Sequence, residues 1–114
     1  MTELWHLAEG PEWAQALRSG SYERSTRGQS LAEVGFVHCS YPDQLAGVAA
    51  AVYAGAEDLV LLRVDPGRVP AEVRVEDGFP HIYGPIPVAA VTAAEPLRRD
   101  AAGQLLLPGD AATG

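Results

Sequence analysis

The ten-residue segment GFPHIYGPIP at residues 78–87 constrains the fold more than any other part of the chain. Each of its three prolines fixes its own φ near about −65° and favours an extended residue before it, while its two glycines supply the positive φ of sharp turns. One interpretation is a stiff loop that holds His81 and Tyr83 in place for contact with a ligand. The other is a rigid turn between two strands, with Phe79, Ile82 and Tyr83 packed inward.

Length and composition predict one small domain. The chain has 114 residues, 47% of them hydrophobic and 20% charged, which suffices for one hydrophobic core and is too short for two. We expect this single domain to span residues 1–107. The remaining residues, 108–114, are small and polar, and we expect them to form a disordered tail.

The residue types present disfavour several classes of function. Fifteen acidic residues against eight basic ones give a formal net charge of −7, which makes nucleic acids and anionic membranes poor partners because clustered positive charge drives both kinds of binding. Every basic residue is arginine, so lysine chemistry is absent. The single cysteine, Cys39, excludes an internal disulfide and all multi-cysteine metal motifs. Without a signal-peptide pattern or a membrane-spanning apolar run, the sequence predicts a soluble cytoplasmic protein.

Hydrophobic periodicity and turn residues predict two main helices and at least five short strands. In the first strand, His6 should face away from Trp5 and Leu7, and in the first helix Trp13, Ala16 and Leu17 should form the apolar stripe. No alternation of the doubly wound βαβ kind is present, so the order predicts an α+β domain. The predicted elements are a strand over 4–8, a helix opened at 10–12 and ended at 20, a mobile loop over 21–29, a capping box at 30–33, a strand over 35–40, a helix opened at 41–43 and closed at 55, a buried central strand over 59–64, a half-exposed strand over 72–76 followed by a turn at 77–78, a helical turn and a strand within 88–97, and a partner strand at 105–107.

Three histidines, His6, His38 and His81, lie in three separate elements, each near a strand end or a constrained segment. If the three converge, they can form a three-histidine metal site with one open position. They can also form a polar pocket in which neutral imidazoles hydrogen-bond a small ligand. The alternative for each histidine taken alone is a purely structural role.

The strand around His38 separates its candidate residues by face. Period-2 geometry places His38 and Ser40 on one face and Cys39 on the other. Because His38 and Cys39 point apart, they cannot form a thiolate–imidazolium pair, and Cys39 is predicted to be a core residue. Ser40 either caps the second helix or contacts a ligand.

Glu76 is the carboxylate placed nearest to the constrained segment. It is either an exposed side chain beside a turn, or an acceptor for a sugar hydroxyl that also stabilises developing positive charge. No G-x-G-x-x-G, G-x-x-x-x-G-K-[ST], G-x-S-x-G or H-E-x-x-H motif is present, so the common nucleotide-binding, hydrolase and zinc-protease assignments lack support.

Four motifs, LWHL at 4–7, GFVHCS at 35–40, DLVLL at 58–62 and FPHIYGP at 79–85, together resemble the small bacterial family known as domain of unknown function 952. The resemblance covers about residues 4–97. It implies an ADP-ribosyltransferase-like fold, in which two small, mostly antiparallel sheets form a split pair around a cleft and a helix follows the first strand.

The resemblance also implies roles for individual residues, with NAD as the co-substrate. In the wider superfamily a first-strand histidine or arginine grips the adenosine-side ribose, and His6 matches that position. A second-strand residue lines the nicotinamide pocket, which points to His38 with Ser40. A third-strand polar residue holds the reacting ribose, and either Glu76 or His81 matches it.

The implied reaction loosens the bond between nicotinamide and ribose through an oxocarbenium-like state. Glu76 would stabilise the positive charge while an unidentified acceptor attacks C1 of the ribose. Tyr83, held in the same segment as His81, is expected to contact the bound nucleotide.

Three functional hypotheses follow from the residues and the resemblance. The first is an NAD-utilising ADP-ribosyltransferase-like enzyme, with three histidines lining its cleft and an unknown acceptor. The second is a non-catalytic module that binds a nucleotide or another small ligand in the same cleft. The third is a three-histidine metal protein.

Overall fold

The computed structural model describes residues 3–108, which fold into an α+β arrangement of short elements. Most of the tail predicted to be disordered, residues 109–114, lies outside the described residues. The strands are β1 Leu4–Glu9, β2 Ser21–Tyr22, β3 Arg24–Thr26, β4 Gln29–Ser30, β5 Val37–His38, β6 Leu59–Val64, β7 Val73–Glu76, β8 Phe79–Ile82, β9 Ile86–Pro87, β10 Val91–Pro96, β11 Arg98–Arg99 and β12 Leu105–Leu106. The α-helices are α1 Gly10–Ser19, α2 Leu31–Val34 and α3 Leu45–Val52, and the 3₁₀ turns are Pro42–Gln44, Pro66–Arg68 and Val88–Ala90.

Small antiparallel sheets account for all the strand pairing in residues 3–108. Two sheets have three strands, in the orders β1-β6-β10 and β5-β8-β7. Three further sheets are two-stranded, namely β2-β9, β3-β4 and β11-β12. The predicted α+β class, antiparallel pairing and two main helices are confirmed, but the strands are divided among five sheets rather than two.

β6 is the central strand of the first sheet, as its nearly continuous apolar run predicts. It pairs with β1 on one side and β10 on the other. Its side chains alternate between two apolar clusters, with Val60 and Leu62 in the first and Leu59 and Leu61 in the second. Both faces of the strand are therefore covered, which is why it lacks the polar alternation of a half-exposed strand.

β1 divides its side chains between the same two clusters. Trp5 and Leu7 pack into the second cluster, and Leu4 and Ala8 pack into the first. His6 shares the face of Leu4 and Ala8 and is buried there. The predicted opposition of His6 to Trp5 and Leu7 is confirmed.

α1 has the predicted ends but a narrower buried face. Pro11 lies in its first turn, and Gly20 ends it with a left-handed φ of 88°. Trp13 and Ala16 are buried, whereas Leu17 is 57% exposed, so its assignment to the apolar stripe is wrong. No helix within residues 3–108 is long and apolar enough to cross a bilayer.

The capping box that begins α2 is confirmed, whereas the start of α3 differs from the prediction. Ser30 accepts a hydrogen bond from the Glu33 backbone N–H, and the Glu33 carboxylate accepts one from the Ser30 N–H. A 3₁₀ turn precedes α3, and the residue that leads into that turn is Tyr41. Ser40 therefore does not cap the second helix. α3 ends at Val52, before the predicted closure at 55.

Residues 21–29 form short strands, so the predicted mobile loop is wrong. β2 pairs with β9 by placing Tyr22 opposite Ile86, and β3 and β4 form a small hairpin. Tyr22 and Ser25 are buried. The polar composition of this segment resembles that of a loop, but pairing with a strand more than sixty residues away satisfies its backbone groups and encloses it.

Most of the constrained segment 78–87 is also strand rather than loop. Its first part is β8, the central strand of the β5-β8-β7 sheet. Asp77 and Gly78 both have positive φ, 53° and 83°, and they form the predicted turn between β7 and β8.

Pro80 lies within β8, where a proline is tolerated only if its missing N–H is not needed. Towards β7, the Tyr83 N–H donates to the Glu72 carbonyl at 2.8 Å. Hydrogen-bonded pairs alternate along an antiparallel ladder, so the pair of Val75 with Pro80 needs no hydrogen bond. Towards β5, the Pro80 carbonyl accepts a hydrogen bond from the Cys39 N–H at 3.0 Å. Proline has no N–H to donate back to Cys39, and β5 ends at His38, one residue before Cys39.

Candidate functional site

One face of the β5-β8-β7 sheet carries most of the predicted site residues. In the register His38 lies opposite His81, and His81 lies opposite Arg74. Residues opposite one another share a face, as do residues two positions apart along a strand. We call this set the polar-aromatic face; its members are Phe36, His38, Glu72, Arg74, Glu76, Phe79, His81 and Tyr83.

The other face of the same sheet belongs to the core. Val37, Cys39 and Ile82 are all fully buried in the first apolar cluster. Burial raises the pKa of the Cys39 thiol to about 12, so it is uncharged at neutral pH. The prediction that Cys39 is a core residue is confirmed.

Aromatic rings pack closely on the polar-aromatic face. The His81 ring stacks on Phe36, with the centroids 4.1 Å apart and the planes 8° from parallel. The His38 ring lies 5.2 Å from both the His81 and the Phe79 rings, and Tyr83 lies 5.5 Å from Phe36. Desolvation, with a further contribution from His81, lowers the pKa of His38, so its imidazole is neutral at pH 7. The Phe36, His38 and Phe79 rings are thus flat and uncharged, and they lie beside an acid.

Glu76 is that acid. Its Oε1 accepts a hydrogen bond from the Tyr83 hydroxyl, and this bond is the main reason that the pKa of Glu76 is lowered. His81 Nδ1 lies 3.4 Å from the same oxygen, within ion-pair range. That contact does not meet hydrogen-bond geometry, and Nδ1 is a buried nitrogen without a hydrogen-bond partner in residues 3–108. The Glu76 carboxylate is therefore ionised and anchored on one side.

Arg74 is the cation of the face. Its Nε donates to Glu72 at 2.7 Å, and its guanidinium lies over the Tyr83 ring at 5.0 Å. Tyr83 is consequently held from two directions, by Arg74 at its ring and by Glu76 at its hydroxyl.

His6 lies in the core and not on this face. Its Nδ1 is 2.7 Å from the His38 carbonyl oxygen, and its Nε2 is 2.8 Å from the Tyr22 hydroxyl. A carbonyl can only accept, so Nδ1 carries the proton and Nε2 accepts from Tyr22. Burial lowers the pKa of His6 to about 4, which keeps the ring neutral at physiological pH. Both ring nitrogens are thus used within the protein.

The three imidazoles consequently do not line one open cleft as the sequence predicted. His38 and His81 come together on the polar-aromatic face, while His6 reaches them only through the His38 backbone. Within residues 3–108, no three His, Cys, Asp or Glu side chains are arranged to hold a metal ion. The contact of His6 with a ribose stays a prediction that its hydrogen bonds do not favour.

Ser40 connects β1 to the strand of His38 through backbone hydrogen bonds. Its N–H donates to the Trp5 carbonyl at 2.7 Å, and its carbonyl accepts from the Trp5 N–H at 2.8 Å. The residue is buried, and its contact with a ligand stays a prediction.

Sequence reasoning missed Arg74, which lies on the face, and Tyr22, which lies near it. The Tyr22 ring packs edge-on against His6, with centroids 5.1 Å apart, and burial raises the pKa of its hydroxyl well above the usual range. The available signal for Tyr22 was a lone aromatic residue in a polar segment. That signal does not reveal a partner sixteen residues away in the chain.

A cavity of about 590 Å³ lies away from the polar-aromatic face, between α3 and the β11-β12 hairpin. Alanines such as Ala49 and leucines such as Leu105 form most of its wall. Arg99 also lines it, but its guanidinium donates to the carbonyls of Tyr53 and Ala56. Because this cavity contains few unpaired polar groups, its chemistry is less suited to a polar substrate than that of the polar-aromatic face.

Comparison with known proteins gives a family and a fold. The family model described as Protein of unknown function (DUF952) matches residues 7–94, a range that includes the entire polar-aromatic face. The X-ray structure of protein CC0527 from Caulobacter crescentus is similar, with a TM-score of 0.80, 31% identity and coverage of 93% of this chain and 95% of that one. The solution NMR structure of CC0527 gives a TM-score of 0.69 and 34% identity, over 90% of each chain. No curated protein matches.

Proposed function

We propose that this chain, which belongs to the DUF952 family, binds an NAD-type nucleotide on its polar-aromatic face as co-substrate of an ADP-ribosyltransferase-like reaction. We also propose that its fold belongs to the ADP-ribosyltransferase-like superfamily. The observation that carries the proposed function is the ionised Glu76 carboxylate, anchored by Tyr83 on the same face as the uncharged rings of His38 and Phe79.

The chemistry of the face suits the parts of such a nucleotide. Flat rings such as those of His38 and Phe79 offer stacking surfaces for a nicotinamide or adenine base. A carboxylate accepts hydrogen bonds from ribose hydroxyls, and it stabilises positive charge that develops at C1 as the bond to nicotinamide loosens. Arg74 is the cation on this face that can approach a pyrophosphate.

Exposure favours Glu76 over His81 for the role at the reacting ribose. The Glu76 side chain is 45% exposed, and that of His81 is 10% exposed. We assign the ribose contact to Glu76 and treat His81 as a positioning residue. His38 and Tyr83 contact the nucleotide, while His6 and Ser40 hold the backbone of the His38 strand.

The test combines calorimetry with NAD and an assay for released nicotinamide. We expect the wild-type protein to bind NAD and release nicotinamide. Glu76→Gln should reduce the release roughly 100-fold or more while NAD binding changes little, because the carboxylate acts mainly on the developing charge. The matched control is Glu57→Gln, which removes an exposed carboxylate outside the face and should leave both measurements unchanged. Wild-type protein that gives no heat with NAD contradicts the proposal.

The buried hydrogen bonds of His6 favour a second candidate function, a non-catalytic nucleotide-binding module. The residue expected to grip the adenosine-side ribose has no free ring nitrogen. This candidate predicts that wild-type protein binds NAD, that no nicotinamide is released, and that Glu76→Gln weakens the binding itself. The two measurements described above therefore distinguish the candidates.

A further inference from the structure

The outer edge of β7 has backbone groups that no neighbouring strand uses. β7 is the last strand in the order β5-β8-β7, and no other strand of residues 3–108 pairs with its outer side. The Tyr83 N–H donates a hydrogen bond to the Glu72 carbonyl. Every second residue of an antiparallel strand bonds to the same neighbour, so the backbone groups of residues 74 and 76 also bond to β8. The N–H and C=O groups of Val73 and Val75 therefore point outward.

This edge also carries an exposed apolar side chain between opposite charges. Val75 is 59% exposed, more than the other large apolar side chains of residues 3–108. Arg74 precedes it and Glu76 follows it, and both project onto the polar-aromatic face. Exposed edges are often protected by charged side chains, especially lysine, or by proline. Here the charges alternate in sign, so they can attract as well as repel those of a second copy.

The alternating charges are complementary to themselves in one antiparallel register. If a two-fold axis passes through Val75, then Arg74 lies opposite Glu76 of the second copy and Glu76 opposite its Arg74. An axis through Arg74 would also align the outward-facing backbone groups, but it would place two arginines opposite each other. An axis through Val73 would pair Arg74 with Glu72, which Arg74 already bonds within its own strand at 2.7 Å.

We propose that a second copy of this chain pairs with β7 in antiparallel fashion across a two-fold axis at Val75, which joins the two β5-β8-β7 sheets into one sheet of six strands. Val75 then packs against the partner's Val75. The contact is short and buries less than the roughly 1,000 Å² of a stable interface, so association is weak and depends on concentration. The pairing also brings the partner's Arg74 beside Glu76, but it does not depend on the proposed nucleotide function.

The experiment is sedimentation equilibrium over about 10 µM to about 1 mM protein without nucleotide. Wild-type protein should dimerise within this range. Arg74→Glu and Glu76→Arg should each weaken self-association at least about tenfold, because each places like charges opposite one another. An equimolar mixture of these two variants should form a heterodimer, since it restores opposite charges across the axis. Arg18→Glu makes the same charge change as Arg74→Glu at an exposed position of α1, and this variant should dimerise as the wild type does.

Circular dichroism of each variant separates loss of pairing from loss of folding. Val75→Lys, which leaves the charge pattern around the axis in place, should also abolish the dimer, whereas Leu106→Lys at another exposed apolar site should not. Wild-type protein that remains monomeric at about 1 mM overturns the proposal. A dimer that survives Val75→Lys, or a mixture of charge variants that stays monomeric, overturns the pairing through β7. None of these outcomes bears on NAD binding.

Discussion

Removal of the Tyr22 hydroxyl tests the buried hydrogen bonds through which His6 connects β2, β1 and the strand of His38. In wild-type protein the Tyr22 hydroxyl donates to His6 Nε2 at 2.8 Å, and each residue is only 2% exposed. Tyr22→Phe keeps the ring and removes the donor. His6 Nε2 then remains buried without a partner, because Nδ1 is already bonded to the His38 carbonyl.

The expected cost follows from that unpaired nitrogen. Loss of a buried hydrogen bond that leaves one partner unsatisfied costs about 1–3 kcal/mol of unfolding free energy. For a domain of this size, each kcal/mol lowers the melting temperature by about 4 °C, so we expect a decrease of roughly 4–12 °C. Urea denaturation and differential scanning calorimetry at pH 7 measure the two quantities independently.

Tyr83→Phe is the matched control. It removes a hydroxyl that also bonds a side chain, but this hydroxyl lies on the exposed polar-aromatic face. Water can replace its bond to Glu76, so we expect a change of less than about 0.5 kcal/mol. If Tyr22→Phe destabilises the protein no more than Tyr83→Phe, then the Tyr22–His6 hydrogen bond does not support the fold as described.

Two further perturbations test other parts of the structure. The pKa of His6 is about 4 in the folded state and about 6.5 unfolded, so the unfolded chain binds more protons between these values. The free energy of unfolding should therefore increase by about 3 kcal/mol as the pH rises from about 4 to about 6.5. Urea denaturation at a series of pH values measures this increase, and His6→Gln should make it smaller. If the variant shows the same increase as the wild type, His6 is not buried as a neutral ring. Gly78→Ala should destabilise the protein by about 1 kcal/mol because φ is 83° there. Gly47→Ala, at an exposed position of α3 with open space around the added methyl group, should stabilise it by about 0.5–1 kcal/mol. Equal effects of the two substitutions on thermal unfolding would contradict the turn geometry.

Local patterns predicted the elements whose signals lie within a few residues. The continuous apolar run of β6, the capping box of Ser30 and the turn at Gly78 each depend on neighbours in sequence, and all three are confirmed. The burial of Cys39 follows in the same way from strand alternation.

Elements that depend on distant pairing were missed. Pro80 marks a turn by its own preferences, yet it lies in a central strand because the register leaves its nitrogen without a required bond to β7. Residues 21–29 have the polar composition of a loop, but the pairing of β2 with β9 makes part of this segment a strand. Tertiary pairing outweighs local propensity in both cases.

The sequence identified most residues of the candidate site, but it did not predict how they are arranged in space. Glu76, His81 and Tyr83 lie near one another in sequence, and the β7-β8 hairpin brings them together with His38. The exclusion of His6 from that group depends on Tyr22 and on the His38 carbonyl, neither of which periodicity identifies.

NMR titration with NAD tests the central claim most directly, because it reports where the nucleotide binds as well as whether it binds. We predict that ring and backbone signals of His38, Phe79 and Tyr83 shift progressively as NAD is added, while those of Ala49 and Leu105 in the separate cavity do not. Shifts confined to Ala49 and Leu105, or spectra unchanged by NAD, would contradict the assignment of nucleotide binding to the polar-aromatic face.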